Sequence, residues 1–160
     1  MAGRTNHRDY WQGFEDYLAG SSYQFPKMKA RDGEFTSKTV LGPHWFLVAL
    51  RNTKRDGSDA ECRFIRCGII IHEKAGPGSA KRRFDRLREF KGEIDKKFGR
   101  RLDWDREDER KQAQIVIWDE VDPEDKTDWP RQFQWLAERL EKFFRIFPTY
   151  IDEVEAQVVD

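Results

Sequence analysis

Basic side chains are concentrated in one stretch of the sequence, and cations at such density are suited to binding phosphate. Residues 74–101 contain eleven Lys and Arg against four Asp and Glu, whereas residues 102–125 contain ten acids and three bases. A helix with a basic face binds a nucleic-acid backbone by neutralising phosphates, so its affinity falls with salt. The alternative is that the basic and acidic stretches neutralise each other within the fold or across a dimer.

The basic stretch supplies the candidate site. We predict that seven of its side chains contact phosphates if nucleic acid is bound: Lys81, Arg82, Arg83, Arg86, Lys97, Arg100 and Arg101. The whole chain carries 30 basic and 30 acidic residues, so its net charge does not attract it to nucleic acid or to a membrane surface. Any such binding must therefore depend on where these charges lie.

Two short motifs in the same stretch fall short of known phosphate or metal chemistry. Glu89-Phe90-Lys91 has the acid-x-lysine order of metal-dependent nucleases, which hold both side chains on a strand. Within a helix, residues two apart do not face the same way. The glycines of residues 76–78 precede a helix but lack the spacing of a phosphate-binding loop. Neither motif supplies a catalytic site.

The histidines and cysteines indicate no metal site. His7, His44 and His72 show no ligand spacing, and Cys62 and Cys67 lie five apart, which places them on opposite faces of one strand. The sequence therefore predicts no catalytic residue, no metal and no cofactor. An enzyme with a small-molecule pocket remains an alternative, with His72 beside an acid as its general base.

Apolar spacing predicts the elements that position the basic residues. Stripes at three- and four-residue steps predict helices near 7–19, 79–98 and from 129 onward, and apolar runs predict strands at 45–50, 62–72, 101–104 and 112–120. The order α-ββ-α-ββ-α favours an α+β fold, with a mostly antiparallel sheet of about four strands packed by two long amphipathic helices. The tryptophans are expected in the core, with Trp129 as the exposed exception.

One domain is expected to span residues 1–160, with a long irregular connection at 23–43 and a disordered tail at 155–160. No apolar run approaches 18 residues, so no membrane contact is expected. The first residues lack the apolar core of a signal peptide, and we predict a cytoplasmic protein.

Core and basic positions together resemble a known family. The spacing of Ala80-Lys81, Phe84, Leu87, Ile94 and Phe98-Gly99, followed by Leu102-Asp103-Trp104 and the late Trp129, Trp135 and Phe143, is similar to a bacterial family catalogued as domain of unknown function 4268. Members often form the C-terminal part of larger proteins, some with a nuclease-like domain and links to restriction or phage defence. The resemblance implies an accessory or recognition role near nucleic acid and supplies no catalytic residues.

These observations favour a non-catalytic binding or accessory module, associated with nucleic acid in bacterial defence or DNA metabolism. The main alternative is a protein–protein interaction domain that acts as a homodimer, because opposite charge blocks and many aromatic residues suit such an interface.

Overall fold

A computed structural model describes residues 6–26, 28, 30, 32, 35–52 and 63–160. Cys62, with which the strand predicted at 62–72 begins, lies outside the described residues. The helices are α1 (His7–Ala19), α2 (Ser79–Arg88), α3 (Lys91–Phe98) and α4 (Trp129–Gln157). The strands are β1 (Phe35–Gly42), β2 (Trp45–Asn52), β3 (Phe64–His72), β4 (Asp103–Asp105) and β5 (Gln112–Asp119).

The strands form one antiparallel sheet in the order β1-β2-β3-β5-β4. At its β4 edge, Trp104 pairs with Ile115 in an antiparallel ladder of three residue pairs. The predicted α+β class, with an antiparallel sheet and amphipathic helices, is confirmed. The sheet has one strand more than expected.

The additional strand is β1, which lies inside the connection predicted to be irregular at 23–43. That part of the prediction is wrong. The β1 sequence FTSKTVLG contains β-branched Thr and Val, which favour strands, but its Ser and Lys interrupt any apolar run. Only Pro43 and His44 separate β1 from β2, and so short a connection joins antiparallel neighbours.

The helix predicted over 79–98 is two helices, α2 and α3. The N–H groups of Glu89 and Phe90 donate to carbonyls three residues back, at 3.2 and 2.9 Å, which tightens and ends α2. Gly92 follows directly and is a poor helix former. Phe90 lies at the bend, with its ring 5.2 Å from that of Tyr150 in α4.

The described structure forms two compact units. The first comprises Met1–Lys38, Val48–Cys67 and Trp118–Glu141. Its core joins α1 to the first part of α4, where the ring of Tyr10 meets those of Trp129 and Phe133 at 5.1 and 5.0 Å. The Tyr10 hydroxyl donates to Gln132 at 2.9 Å, and the buried guanidinium of Arg51 lies 5.0 Å from the Tyr10 ring centroid.

The second unit comprises Thr39–Leu47, Gly68–Ile117 and Lys142–Asp160, and it contains all seven predicted phosphate contacts. Apolar side chains of α2, α3 and α4 are fully buried in its core, among them Phe84, Leu87, Ile94, Phe143 and Phe147. The prediction of a single domain over 1–160 stays a prediction.

A close approach of β3 to β5 in this second unit requires glycine. A Cβ atom on Gly68, whose φ is 155°, would lie 2.2 Å from the carbonyl oxygen of Ile115 and 2.8 Å from the Cα of Val116. Both neighbours are backbone atoms of β5, which cannot move aside as a side chain can. Glycine therefore allows β3 and β5 to approach closely here.

The last helix is longer than the sequence suggested. It begins at Trp129, as predicted, and continues to Gln157, so residues 155–157, expected in a disordered tail, are helical. None of the helices within the described residues has the length and apolar character needed to cross a membrane.

Candidate phosphate-binding surface

Lys81 and Arg83, two of the predicted phosphate contacts, make hydrogen bonds within the fold. The Lys81 ammonium donates to the backbone carbonyls of Arg106, Glu107 and Gln112, which ties α2 to the β4–β5 loop. Arg83 is only 2% exposed, because its position falls on the buried stripe of α2. Both side chains are already engaged by groups of the same chain, and their assignment as phosphate contacts stays a prediction.

Arg83 is held by carboxylates at the C-terminal end of the chain. Its Nε donates to Glu155 at 2.7 Å, and its Nη1 and Nη2 donate to Asp160 at 2.8 and 2.6 Å. Glu155 also accepts from Trp45 Nε1 at 2.8 Å. Burial raises the pKa of Glu155, but hydrogen bonds from Arg83 and Trp45 outweigh burial and hold that pKa below its usual value.

Arg82 and Arg86 are exposed but partly neutralised. Arg82 Nη2 donates to Asp160 at 3.1 Å, and Arg86 lies 3.4 Å from Glu89 one helical turn away. Surface ion pairs of this kind contribute little to stability and exchange readily with solvent. Both arginines therefore remain available to an anionic partner only in competition with these carboxylates.

The end of α3 forms a sharp corner that presents the remaining predicted residues. Gly99 has a φ of 95°, and its N–H donates to the carbonyls of Asp95 and Lys96 at 2.9 and 3.2 Å, as expected for a helix C-terminus. The Asp95 carboxylate fixes the following segment by accepting from Leu102 N and Trp104 Nε1 at 3.2 and 3.0 Å.

We name the four cations of this turn the basic corner: Lys96, Lys97, Arg100 and Arg101, all of them exposed. Lys142 of α4 adds a fifth, since its Nζ donates to the carbonyl of Phe98 at 2.9 Å. Lys97 lies 4.9 Å from the ring centroid of Tyr150. In the part of the chain that the structure describes, Lys96, Arg100 and Arg101 make no ion pair. Asp95 and Asp103 are the acids nearest in sequence, and the Asp95 carboxylate pairs with Lys91 at 2.8 Å.

Lys96 and Lys142 were not among the predicted contacts. Lys96 adjoins Lys97, and sequence alone gave no reason to choose between neighbours on the same helix. Lys142 lies 44 residues after Phe98 in the sequence. It reaches the corner because α4 packs against α3, with the Phe98 and Phe143 rings 4.8 Å apart.

The acidic stretch does not neutralise the basic one within the second unit. Across residues 74–117, all of which the structure describes, the ion pair between the two stretches joins Arg106 to Asp85 at 2.9 Å. Arg106 is a base of the acidic stretch and Asp85 is an acid of the basic stretch. Their ion pair therefore leaves the surplus of basic residues in 74–101 unneutralised by the acidic stretch. Two acids of this stretch pair inside the first unit, Asp119 with Arg131 and Asp122 with Arg63, and Asp108 pairs with Arg106 of its own stretch.

Asp95 should make the stability of this corner sensitive to acid. Burial raises its pKa, but hydrogen bonds from Lys91, Trp104 and Leu102 prevail, so the pKa lies below the ordinary 3.8. The resulting stabilisation is present above that ordinary value and is lost as pH falls through the lowered one. We expect Asp95→Asn to lower the free energy of unfolding by about 1–2 kcal/mol at neutral pH.

That difference should shrink as pH is lowered below the ordinary carboxyl pKa and through the lowered pKa of Asp95, because the wild-type carboxylate is then protonated. Urea denaturation across this range measures it, with Asp152→Asn, an exposed carboxylate on α4, as the matched control. A difference that stays constant with pH would show that Asp95 acts through packing alone.

His72 and its neighbouring acid Glu73, the candidates for an enzyme, make contacts within the fold. The His72 ring packs edge-on against Phe46 at 4.7 Å, and Glu73 accepts from the N–H of Gly78 at 2.8 Å, which shapes the turn before α2. Among the described residues, no three His, Cys, Asp or Glu side chains are grouped to hold a metal ion.

Comparison with known proteins agrees with the pattern of core residues. The family model described as Domain of unknown function (DUF4268) matches residues 6–151, from the N-cap of α1 into the last turns of α4. No curated protein and no solved structure matches the chain. Because the match covers both compact units and most of the sequence, the chain belongs to the DUF4268 family.

Proposed function

We propose that this chain is a non-catalytic accessory module that binds the phosphate backbone of nucleic acid through the basic corner. The observation that supports the proposal is the unneutralised charge there. The ion pair between Arg106 and Asp85 removes one base from the acidic stretch and one acid from the basic stretch, and the corner keeps its cations. The expected setting is bacterial defence or DNA metabolism, to which the family resemblance points, and the cytoplasm, which the sequence predicts.

Three features of the corner suit phosphate. Its four cations are exposed, they follow one another within six residues of chain, and Gly99 turns the backbone between them. Lys142 of α4 adds a cation from a second element. Lysine and arginine contacts to phosphates add affinity without reading sequence. Binding should therefore depend on charge and backbone geometry, with little preference among sequences.

The salt dependence of binding tests the proposal. With about four phosphates neutralised, the logarithm of the association constant for duplex DNA should fall with a slope of about −3.6 against the logarithm of salt concentration. Affinity would then drop about a hundredfold between about 50 and 200 mM salt. Fluorescence anisotropy with labelled duplex DNA, single-stranded DNA and RNA measures this slope. Absence of binding to all of them at the lower salt would remove the proposal.

Homodimerisation stays a prediction of the sequence. Sedimentation at several protein concentrations measures it, and a mass that stays monomeric throughout would count against it. The same measurement is needed to interpret the binding data, since a dimer would present two basic corners and a steeper salt slope.

A further inference from the structure

Two arginines of α2 hold a carboxylate of the same chain in the manner in which arginine holds a phosphate. Arg83 donates to both side-chain oxygens of Asp160, at 2.8 and 2.6 Å, and Arg82 donates to the first of them at 3.1 Å. A phosphate offers a guanidinium the same pair of oxygens. We propose that Arg82 and Arg83 form an anion site for a phosphate group, which Asp160 occupies when no ligand is bound.

The site is built before any ligand arrives. Arg83 is buried, and its Nε edge is fixed by Glu155, which in turn accepts from Trp45 Nε1. The Nη1 group also donates to the carbonyl of Ser79 at 3.2 Å. These contacts orient the two outer nitrogens toward Asp160. Because the guanidinium of Arg83 is already held in this orientation, little side-chain entropy is lost when an anion takes the place of Asp160.

Asp160 is held mainly by this contact. It lies beyond the end of α4, next to Val159, which is 85% exposed, and its own side chain is 28% exposed. Within the described residues, its side-chain hydrogen bonds go to Arg82 and Arg83. An open cleft of about 520 Å³ adjoins the site, and it is lined by Arg82 and Arg86, by the acids Asp85 and Glu89, and by residues 157–159. Releasing Asp160 therefore costs little packing and opens room for a ligand.

The charges balance with either occupant. Glu155 and Asp160 together neutralise the two arginines. Without Asp160 the group has a net charge of +1, which the single negative charge of a phosphodiester would neutralise. Asp160 thus competes with phosphate for these arginines and withholds them from the basic surface. The inference deepens the proposed function and rests on it for the source of the phosphate, namely a nucleic-acid backbone.

The test removes the competing charge and uses two probes. In Asp160→Asn, inorganic phosphate should raise the midpoint of thermal unfolding more than chloride does at equal ionic strength, because a ligand stabilises the state that it binds. Wild type and the control Asp152→Asn, an exposed carboxylate on α4, should respond less. With labelled duplex DNA, Asp160→Asn should bind about threefold more tightly and with a salt slope steeper by about one.

The outcomes separate the two proposals. If Asp160→Asn responds to phosphate no more than Asp152→Asn, the anion site is refuted whatever DNA does. If Asp160→Asn responds to phosphate while neither it nor wild type binds DNA or RNA, the anion site stands and the nucleic-acid function fails. Adding Arg82→Gln to Asp160→Asn should reduce the phosphate response, and an unchanged response would place the bound anion elsewhere.

Discussion

Replacing Arg100 and Arg101 together by glutamate should weaken binding to duplex DNA by at least about a hundredfold at low salt. The change removes two phosphate contacts and places two negative charges beside the remaining cations of the corner. Both side chains are exposed and make no ion pair among the described residues, so the fold should be unaffected. Anisotropy titrations with the labelled duplex measure the loss, and circular dichroism checks the fold.

The chain supplies a matched control for this experiment. Arg110 and Lys111 are also consecutive, exposed bases of the second unit, but they lie in the acidic loop between β4 and β5. Their double replacement by glutamate changes the net charge equally and should alter DNA affinity by less than about fivefold. An equal loss in both double variants would mean that overall charge, and not the basic corner, determines binding.

Arg83→Met should lower the free energy of unfolding by about 2–4 kcal/mol. The buried guanidinium joins α2 to Glu155 and Asp160, and its loss leaves Glu155 with Trp45 as its remaining hydrogen-bond donor. Breaking a fully buried ion pair costs about 3–5 kcal/mol, and the estimate is reduced here because both carboxylates are about one-third exposed.

Urea denaturation measures this cost, and Arg86→Met is the comparison. Arg86 lies one turn further along α2, half exposed, and pairs only with Glu89 at 3.4 Å, so its replacement should cost less than about 0.5 kcal/mol. Equal costs for the two variants would contradict the assignment of Arg83 to the fold.

Apolar periodicity predicted the elements that carry strong stripes. The start of α4 at Trp129 and the Asn6 cap of α1, whose side chain accepts from Asp9 N, follow directly from local sequence. Strand β1 was missed because four consecutive polar residues, 36–39, separate Phe35 from Val40 and Leu41, so that the segment has neither an apolar run nor an alternating pattern. The break between α2 and α3 was missed because their apolar stripes continue in phase across it.

The basic residues were harder to assign, although one signal was present. Arg83 lies three residues after Ala80 and four before Leu87, on the stripe that the core requires, and this spacing marks it as buried. Its partners could not be found from local sequence, since Glu155 lies 72 residues away and Asp160 lies 77 away. A buried cation can be recognised by spacing, but its counter-charge depends on tertiary packing.

The tryptophans show the same limit. Trp129 was expected to be exposed, yet its Nε1 donates to the carbonyl of Pro123 at 2.8 Å and its ring meets Tyr10. The exposed tryptophan is Trp118 in β5, at 39%, beside Phe64 at a ring distance of 4.5 Å. Which of them reaches solvent depends on the neighbouring strand and helix, and a proline or acidic residue nearby in sequence does not reveal it.

The most direct test maps the contact surface residue by residue. In a titration of isotope-labelled protein with a short DNA duplex, the amide resonances of Lys96 through Arg101 and of Lys142 should shift most, and those of Arg110 and Lys111 should stay near their free positions. Shifts confined to other parts of the chain, or no shifts at low salt, would contradict the assignment of phosphate binding to the basic corner.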